Sequence, residues 1–366
     1  MELVRRTRLL APLATIVVIG AAGLVRPAVL RAADPPWDPP PCPPGQAAGP
    51  AAQMAEGAWF ALDAELDADG WLTGWRLSLG RVAGAPARHL ALPPESFASG
   101  PVGGRVLVGD DDGSRSRLRI VDLAAGCATD IGRETSVVRS AVLTADGSAV
   151  WEHRVNRATR ADEGVWRRPL DGGPAGRVLR GLPFAAAFGP TFSTELALTA
   201  DGRLTVASCG ERACRLRVLE PRSGRVDRVD GTGPVIGVSG QRVIAYAPCS
   251  GFPCRVEGID LRTGRRTTLL DAAGPAALGG PGGRTLVHEA RGGSLELLDL
   301  DTLRRSPAAA GTPGAPVRGG STATSGADVP DGWVLLAPAG HLTDPAAARR
   351  LDVATGGVSQ LGEVQP

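Results

Sequence analysis

The residues of this chain with the most chemical potential are its six cysteines, and four of them fall in a repeated phrase. CGERACRLRVLEPRSGR begins at Cys209, and CSGFPCRVEGIDLRTGR begins at Cys249. In both, four residues separate two cysteines, an apolar alternation follows, and an acid precedes a turn closed by arginine. Thiols paired in this way could ligate zinc, whose sites space cysteines by about two to four residues. They could also cycle between dithiol and disulfide, or stand as permanent cross-links. The choice depends on the compartment and on the elements that carry each pair.

The four histidines offer less. His288-Glu289 lacks the second histidine of a zinc-protease helix and sits in a strand pattern. His153 in WEHRV and His89 in ARHLAL read as ordinary strand residues. A G-x-S-x-G elbow, the main signal of many serine hydrolases, is absent. Two acidic clusters invite a calcium reading. In DAELDADG the twelfth position counted from Glu65 is Arg76, where a calcium loop needs glutamate. GDDDGSRSR sets Asp110, Asp111 and Asp112 in a tight turn, and a solvated turn accounts for it without a ligand. The sequence therefore nominates no catalytic, cofactor-binding or metal-binding residue, and no cofactor is expected.

What positions the cysteines is a repeat. A glycine-containing turn, a β-rich segment, a variable loop and a second strand ending in an acid recur along the chain. The copies are clear in GPVGGRVLVGD with RLRIVDLAAG, and in LTADGRLTVAS with RLRVLEPRSG. They are as clear in GVSGQRVIAYAP with RVEGIDLRTG, and in GGPGGRTLVHEA with SLELLDLDTL. Aligned on the acid, the units stand at Ser78, Asp122, Pro169, Glu220, Asp260, Asp299 and Asp352, roughly 40 to 50 residues apart. Leu118, Leu216, Val256 and Leu295 lie four residues before the acid, with Arg119, Arg217, Glu257 and Glu296 one residue further on. This period of two predicts strands with one face in a core and the other toward water. The expected fold is all-β: a β-propeller of seven blades, each of four antiparallel strands, over residues 58–362. AWFALDAEL (58–66) or the final SQLGEV is expected to complete one shared blade, and 304–330 reads as a flexible low-complexity insertion.

The units LTADGSAVW, LTADGRLTV and VPDGWVLLA, each followed by a strand of the RIVDLAAG type, resemble those of TolB-like and WD-repeat-like propellers. Asp146-Gly147, Asp201-Gly202 and Asp331-Gly332 match the family's opening turn. Asp260, Thr263 and Gly264, and again Asp352, Thr355 and Gly356, match its closing D-L-x-T-G. Pro169 in the third unit and Leu303 in the sixth depart from the pattern. The resemblance implies architecture and assigns these positions no chemistry.

At the N-terminus, Arg5, Arg6 and Arg8 precede an apolar run from Leu9 to Val25, which reads as an export signal or an uncleaved membrane anchor within residues 1–33. Residues 34–57 form a Pro/Ala-rich linker. Export places the thiols in an oxidising compartment, extracellular or tethered to the outer side of the cytoplasmic membrane, so disulfides are expected. Cys209 with Cys214 and Cys249 with Cys254 would face each other across hairpin loops, leaving Cys42 to pin the linker to Cys127. All forty basic residues are arginine, and the net charge of +2 gives no overall pull toward nucleic acid.

In a propeller, the loops between second and third strands share one face, where function tends to concentrate. That face would carry Asp110, Asp111 and Asp112, the mixed-charge loop of Arg154, Arg157, Arg160, Asp162 and Glu163, and His341. These features lead to the expectation of an exported, non-catalytic scaffold binding another protein or a cell-envelope component. The alternatives are a propeller-type hydrolase or lyase acting on glycan or peptide, and a membrane-tethered sensor ectodomain.

Overall fold

The structure, a computed structural model, describes residues 37–43 and most of 58–360. Within that span 82–87, 182–192, 309–314, 317–324, 328–332 and 338–348 are not described, nor are some single residues and runs of two or three in turns, among them 70–71, 200–201, 210–212, 280–282 and 291–292. The expected export segment over 1–33, most of the 34–57 linker and His341 lie outside the described residues. Counts and absences below concern the described residues.

Every regular element is a β-strand, and the strands form sheets of four antiparallel members, seven in number, counted along the chain from the sheet of Ala58–Leu66 as the first to that of Val358–Gln360 as the seventh. The third sheet contains Val137–Leu143, Ala149–Val155, Asp162–Pro169 and Gly176–Arg180. The fourth contains Ser193–Leu198, Leu204–Cys209, Cys214–Leu219 and Val226–Thr232. The repeated acid is the device that reverses the chain between the third and fourth strands of a sheet. Asp260 Oδ1 accepts the N–H groups of Arg262 (3.0 Å) and Thr263 (2.7 Å), while Gly264 N–H returns to the Asp260 carbonyl at 2.8 Å. Asp122, Asp299 and Asp352 repeat the arrangement. The closing residue must take positive φ: Gly264 sits at 70°, and Leu303, which replaces glycine in the sixth sheet, is held at 58°.

Successive sheets pack face to face. Leu107 and Ile120 of the second meet Ala141 and Val150 of the third. Trp151 and Val165 of the third meet Leu196 and Val206 of the fourth. Comparable clusters join the first sheet to the second and continue through to the seventh. Burial on both faces overturns one expectation from the strand alternation. Arg217 and Glu257, placed toward water by the period of two, are only 2% and 9% exposed. A sheet covered by neighbours on both sides has no solvent face in its middle strands, so alternation there distinguishes one seam from the next.

Neither segment expected to complete a shared blade does so alone. Ala58–Leu66 pairs with Ser325–Ala327, which lies between Ala315–Pro316 and Trp333–Ala337 of the seventh sheet in the chain. The final strand, Val358–Gln360, is the outer strand of that seventh sheet. The span 304–330, read from sequence as an insertion, thus supplies strand segments to the sixth, seventh and first sheets.

Three disulfides join Cys42 to Cys127, Cys209 to Cys214 and Cys249 to Cys254. Cys209 and Cys214 are direct partners in the strand register. Beside the first bond, Ala128 N–H donates to Pro40 O (2.9 Å) and Cys42 N–H donates to Ala128 O (3.0 Å). The lead segment is thereby laid along the outer strand Cys127–Glu134. Such a set of cross-links fits an exported protein in an oxidising compartment.

Candidate functional site

The loops between second and third strands are more tightly knit than the sequence implies. Arg157 donates from Nη1 (2.8 Å) and Nη2 (2.6 Å) to the two oxygens of Asp111, and also to Gly113 O and Thr135 O. Burial alone would raise the Asp111 carboxyl, but hydrogen bonds from Arg157, Ser116 and Gly113 outweigh it and hold it below the usual range. Asp110 pairs with Arg119 at 2.8 Å. Asp112 caps its own turn, where the Ser114 hydroxyl and the N–H groups of Arg115 and Ser114 lower its carboxyl to about 2. Glu163 accepts from Ser136 and Asn156. Arg160 is exposed at φ 59°. Arg154 belongs to no loop: it is buried against Glu152 and Glu134, which Arg168 also engages, and its guanidinium stacks on Trp166. Of the nine residues expected on a binding face, Asp110, Asp111, Arg154, Arg157 and Glu163 are therefore committed to internal contacts.

Asp162 has a different role. The third sheet bulges between Asp162 and Gly164, so two residues oppose one on the neighbouring strand. Bulges of this kind redirect side chains. Gly164 makes the bulge feasible: its φ is +96°, and a Cβ there would lie 2.0 Å from Leu179 O. Its N–H donates to Asp162 Oδ1 at 2.7 Å. The same oxygen lies 3.0 Å from Nε2 of His153, on the adjoining strand. His153 is 3% exposed, and its Nδ1 has no hydrogen-bond partner among the described residues. In the neutral ring whose Nε2–H donates to Asp162, Nδ1 is the nitrogen that carries the lone pair.

Across the seam stands Arg217, from the third strand of the fourth sheet. Its Nη1 donates to Arg180 O at 2.7 Å, while Nε and Nη2 have no partner among the described residues. Burial lowers its pKa below the usual arginine value, Arg228 and Arg215 push the same way, and Asp162 opposes them. The seam between the third and fourth sheets thus holds an imidazole whose Nδ1 is enclosed without a partner, a carboxylate at its other nitrogen, and a partly unsatisfied guanidinium. Trp151, Val165 and Val206 supply apolar packing in the same seam. In enzymes such groups remove a proton and bind an anion.

Sequence reasoning passed over His153 and Arg217 because each sits in an ordinary strand alternation. The signal available was the run D-E-G at 162–164, whose glycine interrupts a strand and marks a bulge. The other histidines are placed differently. His89 Nδ1 lies 2.9 Å from the Ser78 hydroxyl, and His288 is 1% exposed, with Glu296 at 3.6 Å. Arg76, at the twelfth position from Glu65, lies 3.4 Å from the Glu65 carboxylate. Among the described residues, no group of three or more His, Cys, Asp or Glu side chains converges as a metal site.

No family model matches the chain, and no curated protein sequence matches it. Solved structures do resemble it. An oligogalacturonate lyase in complex with manganese superposes with a TM-score of 0.50 at 13% identity, covering 84% of this chain and 86% of that one. A structure from a study of two prolyl endopeptidases gives 0.50 at 15% identity over 84% of this chain, which spans about half (48%) of the endopeptidase chain. TolB from Acinetobacter baumannii gives 0.45 at 14% identity, covering 75% of this chain and 67% of that one. The two likenesses at 0.50 support a β-propeller fold built from four-stranded antiparallel sheets. They also correct the leading functional expectation. The two structures at 0.50 are a lyase and an endopeptidase, so the expectation of a non-catalytic scaffold is set aside. No group of described residues fits the manganese of the lyase, and no chemistry is assigned to a metal here.

Proposed function

We propose that this chain is an exported seven-bladed β-propeller enzyme, a hydrolase or lyase that cleaves an extracellular or cell-envelope polymer, glycan in preference to peptide. The observation that carries the reading is the His153–Asp162 pair: a buried imidazole whose Nε2 is held at 3.0 Å by a carboxylate and whose Nδ1 is left unpartnered. A histidine oriented by a carboxylate can act as a general base, on a substrate carbon in elimination or on water in hydrolysis, and here that role requires substrate or water to enter the seam where Nδ1 is enclosed. Glycan is preferred because the chain matches the lyase over most of both lengths but only about half of the endopeptidase. The absence of a G-x-S-x-G elbow agrees with that preference. Ring closure through Ser325–Ala327, which joins the chain of the seventh sheet to the first, would keep the third and fourth sheets in fixed register. Where an N-terminal anchor is retained, the enzyme works tethered outside the cytoplasmic membrane.

The test is incubation of the exported protein with a panel of acidic glycans, neutral glycans and peptides, with mass spectrometry of the new chain ends. An unsaturated end would identify elimination, and a water-added end hydrolysis. Intact polymers throughout, with folded protein, would reject the reading.

A further inference from the structure

Arg217 carries an inference beyond the general base. Its guanidinium is 2% exposed and makes one hydrogen bond, from Nη1 to a backbone carbonyl, with Nε and Nη2 unpartnered among the described residues. A buried cation in this condition is costly unless an anion meets it. The strand register adds to the problem. Arg217 lies directly opposite Arg228, whereas the next pair along the same face, Arg215 and Asp230, is complementary, with a 2.8 Å ion pair. Like charges directly opposite each other on a sheet repel, so the Arg217–Arg228 position lacks the counter-charge that its neighbour has. Asp162 is the carboxylate acting on Arg217, and its Oδ1 is already engaged by His153 and by Gly164 N–H.

We infer that the seam between the third and fourth sheets is an anion-binding site, in which Arg217, with Arg228 beside it, receives a carboxylate or sulfate group of a sugar. The planar donor pair Nε and Nη2 suits two oxygens of such a group, a geometry that an ammonium does not reproduce. That the anion belongs to the substrate rests on the enzymatic reading above; that the site takes an anion does not. The substrate class is then acidic glycan, with its charged group held in the seam that also carries His153 and Asp162.

Isothermal titration of the exported protein with D-galacturonate, inorganic sulfate and neutral D-galactose tests this. Galacturonate or sulfate is expected to bind and galactose not to bind. Preference for galacturonate would identify a sugar acid, and preference for sulfate a sulfated sugar. Arg217→Gln should weaken anion binding by about ten- to hundredfold. Arg217→Lys should fail to restore it, because the fork is lost. If Arg217→Gln does not fold, Arg228→Gln, at an exposed position, should weaken binding by a smaller factor. Wild-type protein that binds none of the anions, or folded variants that bind them as tightly as wild type, would overturn the site. Anion binding without cleavage of any polymer would leave the site standing and remove the enzymatic reading alone.

Discussion

Arg157 holds both oxygens of Asp111, at 2.8 and 2.6 Å, and so ties the turn of the third sheet to that of the second. The carboxylate is nearly enclosed and the guanidinium is half-buried. Because the folded protein holds the Asp111 carboxyl below its ordinary value of 3.8, this pair stabilises the fold above that pH. The contribution is lost as pH falls through the lower, folded value. Asp111→Asn should cost about 2 kcal/mol near neutral pH, measured by denaturant unfolding. An unchanged midpoint would mean that the two turns are not coupled.

Burial pushes His288 below the ordinary imidazole value of 6.5, with Arg305 adding to it and the Glu289 backbone and Glu296 opposing. The unfolded chain therefore takes up this proton more readily than the folded one. Stability is full above 6.5 and declines as pH falls below it. His288→Met should flatten the fall in melting temperature between about pH 7.5 and pH 5.5. A variant that loses as much stability over that range as wild type would contradict this.

Leu303 occupies at φ 58° the place that glycine holds in the second, fourth, fifth and seventh sheets, and its side chain is exposed. Leu303→Gly should stabilise the protein by about 0.5–1 kcal/mol, since relief of left-handed strain exceeds the added freedom of the unfolded chain. A lower melting temperature would show that the leucine earns its place through packing.

The disulfides should rank by the length of chain they close. Cys42–Cys127 spans 85 residues and Cys209–Cys214 spans 5. In the chain-entropy description these are worth about 4–5 and about 2 kcal/mol respectively. Replacing both cysteines of the first pair by serine should lower the unfolding midpoint more than the same change in the second. It should also release Trp37 from Arg88, whose guanidinium lies over the indole at 4.6 Å. Equal losses would mean that the lead segment stays bound without its cross-link.

Much of the fold was legible because each sheet writes the same sentence. The acid at Asp122, Asp260, Asp299 and Asp352 is a local hydrogen-bonding device, and local devices show in sequence. The cysteines were legible for the same reason, since Cys209 and Cys214 flank one hairpin. The strand that pairs with Ala58–Leu66 was not, because Ser325–Ala327 lies more than half the chain away and has no pattern of its own. The candidate site was hidden by the feature that makes a stack of sheets. With both faces covered, Arg217 looks from sequence like any outward residue, and only the packing shows it to be buried without a full set of partners.

The most direct measurement is the cleavage rate of His153→Asn against wild type, on whichever polymer the wild-type protein degrades. Asparagine keeps a polar side chain of moderate size but cannot act as a base at neutral pH. A fall of about 10²–10⁴-fold, with the melting temperature little changed, is the predicted result. A folded variant that cleaves at the wild-type rate would contradict the account and move the chemistry away from the seam between the third and fourth sheets.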